Sequence, residues 1–326
     1  MENEARVHSG ILTNVSVVIA KKGYQVAALK YDDKLIIDTS NYRWENMIFL
    51  DSPSDIRLNI KKSDDSVITE DEAINNVIVY SVEKKINGKI LSILGDSIST
   101  FGVPDQNNTE GKWTYPGNRC RYPQSNLFTD VDFTYWKRLI DARSMRLGIN
   151  ESWAGSRVSW DGVTESGDYG ANKHIASLTR IKHLGENGNP DIIAIYAATN
   201  DAGGKVELGV FNTEDPSKYS EEEIELLPVN TFADAYRTML IRAMYYYPTS
   251  RIIVIMPNFT TAYYSTPDLD KYIEVIREAC DFFGIQYLDC RTVGVTPFNS
   301  STYMPDGIHP GKNLMNMIFK ELNKLV

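Results

Sequence analysis

Three short apolar runs constrain this chain more than any other feature. Residues 89–94 (KILSIL), 191–198 (DIIAIYAA) and 251–257 (RIIVIMP) are continuous rather than alternating, the pattern of strands buried on both faces of a parallel sheet. Residues 145–149 and 285–288 are weaker candidates of the same kind. Helical spacing appears between them at 133–142, 231–247 and 269–283, and once more at 313–325. In the second of these, Phe232, Tyr236, Met239, Leu240 and Ala243 form a core-facing stripe. Strand–helix alternation of this sort predicts an α/β layered fold built on a parallel sheet.

Residues 1–88 have a different texture. Runs rich in β-branched and aromatic residues at 15–20, 24–29, 34–38, 47–50, 56–60 and 77–80 are separated by turn-prone clusters such as Lys21-Lys22-Gly23 and Asp51-Ser52-Pro53-Ser54. That spacing predicts a small all-β unit, sandwich-like or jelly-roll-like. Residues 63–73 read as a charged loop. A β-rich domain over 1–88 followed by an α/β domain over 89–326 agrees with the two domains that 326 residues suggest.

Composition narrows the partners. With 42% apolar and 24% charged residues the chain is ordinary for a globular protein, so wholesale disorder is excluded. Its 34 basic and 43 acidic residues give a net charge of −9, a surface that repels phosphate backbones, and no nucleic-acid partner is expected. No stretch approaches the ~20 apolar residues of a membrane-spanning helix. The start, MENEARVHSG, has no apolar h-region, so no signal peptide is visible. Cys120, Cys280 and Cys290 are too few and too scattered for a disulfide framework or a zinc site, and read as free thiols.

Two polar excursions interrupt the alternation, at 100–132 and 202–230, and in α/β folds such insertions after strands shape the binding crevice. The acidic run Glu221-Glu222-Glu223 in the second reads as a solvated face.

Of the four histidines, His309 stands out within Met304-Pro-Asp-Gly-Ile-His-Pro310. Asp306 precedes it by three residues, with Gly307 allowing a tight turn, so the carboxylate can accept the Nδ1 proton and fix the tautomer. A base held this way needs a nucleophile, and Ser97 in Leu94-Gly95-Asp96-Ser97-Ile98-Ser99 sits where a buried strand breaks into a loop. Either half alone is weak: such a serine also caps helices, and Asp-x-x-His also forms surface pairs. His174 and His183 lack metal-ligand spacing and read as structural or solvated.

At these residues the sequence resembles the SGNH (GDSL-type) hydrolases, over about 88–326. Gly95-Asp96-Ser97 matches the block holding the nucleophilic serine, and Asn150-Glu-Ser-Trp-Ala-Gly155 the block whose glycine N–H is an oxyanion donor. Ala198-Thr199-Asn200-Asp201 resembles the third block, and Asp306-Gly-Ile-His309 the block with the acid and base. Ile98 replaces a leucine, and Ala198 replaces a glycine, adding a methyl beside the oxyanion site. The resemblance implies a flavodoxin-like three-layer sandwich and a serine esterase that uses Ser97, His309 and Asp306. The N–H of Ser97, the N–H of Gly155 and the amide of Asn200 would form the oxyanion hole, with no cofactor and no metal. Gly-x-Ser-x-Gly, P-loop, Gly-x-Gly-x-x-Gly and His-Glu-x-x-His motifs are absent.

A β-domain before such a core is similar to arrangements in carbohydrate esterases, which implies a glycan acetyl ester as substrate. Trp113, Tyr115, Trp153 and Trp160 fall in loops near the blocks, where aromatic faces either stack on pyranose rings or pack as apolar surface. Arg157 is a candidate for binding a polar substrate group, or is salt-bridged. Polar residues such as Asp105-Gln-Asn-Asn108 argue against a lipid lid. The alternatives are a lysophospholipase or thioesterase, and a glycan-binding module with a vestigial hydrolase core. Glycan chemistry suggests secretion or the periplasm.

Overall fold

The computed structural model describes residues 4–6, 12–30, 45–81, 88–102, 120–163, 171–261 and 266–326. The chain divides into two compact units, Met1–Lys85 and Ile86–Val326.

In the first unit, β1 (Glu4–Arg6), β2 (Leu12–Ala20), β3 (Tyr24–Lys30), β4 (Met47–Lys62) and β5 (Val77–Ser81) form one five-stranded antiparallel sheet. Its order is β1-β4-β2-β5, with β3 also on β4. The runs at 47–50 and 56–60 are one strand rather than two. Opposite β2, Val15 pairs with Ser54 and Val17 with Phe49, so the turn-prone Asp51-Ser52-Pro53-Ser54 is absorbed as a bulge. Proline, lacking an N–H, is tolerated at such an irregularity. Residues 63–73, expected as loop, end in α1 (Glu70–Asn75), whose first turn is capped by the Thr69 side chain on the Glu72 N–H. Val18, Val26, Leu58, Ile60, Ile68 and Ala73 make a small core. The expected strand at 34–38 lies outside the described residues.

The second unit carries a parallel sheet of β6 (Ile90–Gly95), β7 (Arg146–Ser152), β8 (Ile192–Tyr196), β9 (Arg251–Met256) and β10 (Gln286–Asp289), ordered β10-β9-β8-β6-β7. This is the flavodoxin-like order, with its switch point at β6. The continuous apolar runs send alternate residues to opposite faces. Ile193, Ile195, Val254 and Met256 pack under α3 (Leu178–His183), α6 (Phe232–Tyr246) and α7 (Thr266–Phe283). Ile192, Ala194, Ile253 and Ile255 pack under α2 (Tyr135–Arg143) and α9 (Lys312–Leu325). Each fully buried Ile or Leu contributes about 1.5–3 kcal/mol, so a double-faced core of this size is ample to hold the sheet.

Three more short helices, α4 (Thr199–Gly203), α5 (Glu221–Glu225) and α8 (Ser300–Tyr303), lie in the connections. In α5 the acidic run forms one solvated turn, closed by a reciprocal cap between Ser220 and Glu223. Among the described residues, no helix is long and apolar enough to cross a membrane.

Candidate active site

The site is assembled at the C-terminal ends of β6, β7, β8 and β9, beside the switch point. β6 ends at Gly95, where a Cβ would meet the Tyr196 carbonyl at 2.8 Å. The chain then turns into a 3₁₀ turn over Ser97–Ser99. Its cap is Asp96, whose carboxylate accepts the Ile98 N–H at 3.0 Å, which leaves the Ser97 side chain free of capping. Buried groups lock this turn from behind. The Ser99 carbonyl accepts from Trp136 Nε1 at 3.1 Å and Asn150 Nδ2 at 2.9 Å, and Thr100 Oγ1 donates to the Ser97 carbonyl at 2.8 Å.

Ser97, only 6% exposed, points its Oγ at His309 Nε2, 2.8 Å away. His309 Nδ1 lies 2.8 Å from Asp306 Oδ2, while Asp306 Oδ1 accepts the backbone N–H groups of Ile308 at 3.0 Å and His309 at 2.8 Å. Burial pushes the Asp306 carboxyl up, but the hydrogen bonds from the His309 ring and amide outweigh it and hold the group well below the usual carboxylate range. The segment after β9 fixes this turn. Thr260 Oγ1 and the Thr261 N–H donate to the Gly307 carbonyl at 2.8 and 2.9 Å. Asn258, buried and accepting from the Tyr196 hydroxyl at 2.7 Å, reaches Met304 Sδ at 2.8 Å. Asn258 was missed in the sequence, although its place just past a buried parallel strand was the signal.

Gly155 stands at φ +84°, a conformation that glycine adopts without a Cβ penalty. Among the described residues the backbone N–H groups of Ser97 and Gly155 have no acceptor in the chain. The Gly155 turn is tied to α4: Asn200 Nδ2 donates to the Ser156 carbonyl at 3.0 Å, leaving its second hydrogen available. Asp201 takes the Val158 N–H at 2.8 Å, the Ser159 N–H at 3.1 Å and the Ser159 hydroxyl at 2.7 Å. Burial raises Asp201 to about 6 and Asp96 to about 7. Ala198, where the resembled family has glycine, sits at φ +96°, so its methyl also strains the backbone.

Trp153 is not presented as a stacking surface. It is 8% exposed, its ring is covered by the Arg180 guanidinium at 5.0 Å, and its Nε1 donates to the buried Glu151 at 2.8 Å. Arg180 also donates to the Gly95 carbonyl at 2.8 Å and the Glu151 carbonyl at 2.6 Å, binding the ends of β6 and β7 together. His183 closes the network on the Glu151 carboxylate, and that hydrogen bond raises its pKa. Arg157 lays its guanidinium against Gly204, at the end of α4. Trp160 stacks on the buried His174, with ring centroids 5.8 Å apart. Trp113 lies outside the described residues. Among the described residues, no group of three or more His, Cys, Asp or Glu could hold a metal ion.

Residues 89–323 match the family described as GDSL-like Lipase/Acylhydrolase. The structure resembles a protein designated a GDSL-like lipase from Bacteroides uniformis, at 25% identity and a TM-score of 0.52, covering 73% of this chain and 95% of that one. A protein of the same designation from Bacteroides ovatus gives 24% identity and a TM-score of 0.52, covering 73% and 98%. No curated protein matches the chain.

Proposed function

The chain belongs to the GDSL-like lipase/acylhydrolase family, and on that premise we propose that it is a serine esterase that removes small acyl groups, acetyl foremost, from a carbohydrate. The observation that carries this reading is the unbroken relay Ser97 Oγ to His309 Nε2 at 2.8 Å and His309 Nδ1 to Asp306 Oδ2 at 2.8 Å.

In the proposed reaction Ser97 attacks the ester carbonyl as His309 Nε2 takes its proton. Asp306 orients the imidazole and stabilises the transient imidazolium. The carbonyl oxygen, now negative, is held by the N–H of Ser97, the N–H of Gly155 and the second amide hydrogen of Asn200. His309 hands its proton to the leaving alcohol, and water then resolves the acyl-serine with His309 again as base. Asn200→Ala is expected to lower kcat by about 10²–10³-fold with little change in KM, because the lost donor acts on charge that exists only in the transition state. An equal fall in affinity and no fall in kcat would remove Asn200 from this role.

One feature supports a short acyl group: the excursion at 100–132 is polar rather than lid-like. The test is hydrolysis of p-nitrophenyl acetate, butyrate and octanoate by the full chain, followed by acetylated glycans. Acetate should be preferred. In Ala198→Gly, stability should change by less than about 1 kcal/mol, since relief of positive-φ strain is offset by a lost buried methyl and the freer unfolded chain. A preference for octanoate would sink the small-acyl reading, and no turnover of any ester would sink the esterase reading.

A further inference from the structure

Asp306 does not serve His309 alone. The guanidinium of Arg121 donates to the same Oδ2 that faces the imidazole, so with Ile308 and His309 N–H on Oδ1 the carboxylate's acceptor sites are filled. Arg121 is 30% exposed and Asp306 20%, so solvent screens the contact only in part. The backbone of Arg121 is anchored independently of its side chain: its N–H donates to Thr100 Oγ1 at 3.0 Å, and Thr100 Oγ1 in turn holds the Ser97 carbonyl at 2.8 Å. Arg121 therefore reaches from the nucleophile's turn to the acid on the far side of the base.

We propose that Arg121 is a positioning residue that braces Asp306 and, by sharing its charge, keeps His309 unprotonated at lower pH than an Asp–His pair alone would allow. This rests on the reading of Ser97, His309 and Asp306 as the reacting groups. A guanidinium beside the carboxylate that must stabilise an imidazolium opposes that imidazolium, and a charge at such range shifts a titration by about one unit or more. The other titratable groups around the ring do not supply the same effect. Tyr122 meets the imidazole edge-on with its phenol kept neutral by burial, Asp96 lies at the foot of the Ser97 turn, and Lys312 is drawn over the Phe133 ring at 3.7 Å. All three remain in any Arg121 variant.

The test follows the His309 ring by NMR across pH in wild type, Arg121→Met and Arg121→Lys, with the signal among four histidines assigned through His309→Gln. In Arg121→Met the midpoint should rise by about one unit, and the acid limb of kcat/KM should move with it, so that activity on that limb falls about tenfold relative to wild type. Arg121→Lys, which keeps a cation, should stay near wild type. A purely structural role would lower activity at every pH and leave the midpoint alone, and no role would leave both unchanged. Coincident midpoints in the three proteins, or a downward shift, overturn the proposal. If the midpoint rises but no ester is hydrolysed by any of them, the esterase reading fails while the role of Arg121 on Asp306 stands. Should Arg121→Met not fold, Arg121→Gln carries the same prediction.

Discussion

Ser97→Ala is expected to lower kcat for p-nitrophenyl acetate by about 10⁶-fold, to the level set by the oxyanion hole and binding alone. The serine hydroxyl is the only atom group removed, and the turn that carries it is held by Asp96, Trp136, Asn150 and Thr100 through hydrogen bonds that do not involve the Ser97 hydroxyl. The variant should therefore melt close to wild type, which separates loss of chemistry from loss of fold. Asp306→Asn should cost less, about 10⁴-fold, and for a reason visible in this geometry. The Oδ1 position is committed to two backbone N–H groups, so the amide oxygen of asparagine must stay there and its NH2 must face His309 Nδ1. A donor at that place forces the ring proton onto Nε2, opposite Ser97, where the base needs a lone pair. Because the three groups act as one unit, Ser97→Ala combined with His309→Ala should be no slower than Ser97→Ala. A Ser97→Ala protein that keeps more than a few per cent of wild-type kcat would end the acyl-serine mechanism.

The fold of the second unit could be read because its strands are buried twice over. A run such as Ile192–Tyr196 has no polar face, so its sequence alone places it between two layers, and alternate residues do go to opposite sides of the sheet. Local chemistry also made Ser97, Asp306 and His309 legible, since each lies in a short block whose residue types serve one another. Pairings across the chain were not legible. Arg121 meets Asp306 over 185 residues, and Arg180 meets Gly95 over 85, contacts that no local pattern announces. Short helices escaped as well: α4, α5 and α8, of four or five residues, complete hardly more than one turn and show no period. In the first unit, Asp51-Ser52-Pro53-Ser54 has every residue of a turn, and only pairing with β2 shows that the chain stays extended through it. Ala198 was read for its methyl, whereas its left-handed backbone is a property of the position that an alanine conceals.

Arg180→Met should destabilise the second unit by about 3–5 kcal/mol, the cost of leaving a buried charge without its partner. Both Arg180 and Glu151 have side chains 1% exposed, with Arg180 Nε 3.7 Å from Glu151 Oε1. Methionine matches much of the stem's volume but leaves the Glu151 carboxylate short of a cation and removes the donor that Arg180 supplies to the Glu151 and Lys173 carbonyls, while the Gly95 carbonyl keeps the Trp153 N–H at 3.1 Å. At about 2–4 °C per kcal/mol for a unit of this size, the melting temperature should fall by roughly 10 °C. Adding Glu151→Gln removes the orphaned charge and should restore part of the loss, while the unmet carbonyls keep the double variant below wild type at about 1–3 kcal/mol each. The deficit should also depend on pH. His183 has its pKa raised by Glu151, so its contribution is complete below the unfolded value and disappears as pH rises through the raised one. With Arg180 gone, protonated His183 is the remaining cation on the Glu151 carboxylate, and the variant should lose stability faster than wild type as pH climbs through neutrality. Because Arg180 clamps the Gly95 carbonyl two residues before Ser97, kcat should fall even where the protein is fully folded. A melting temperature within 2 °C of wild type, flat across that pH range, would mean that Glu151 is satisfied without Arg180 and that the network does not brace the ends of β6 and β7.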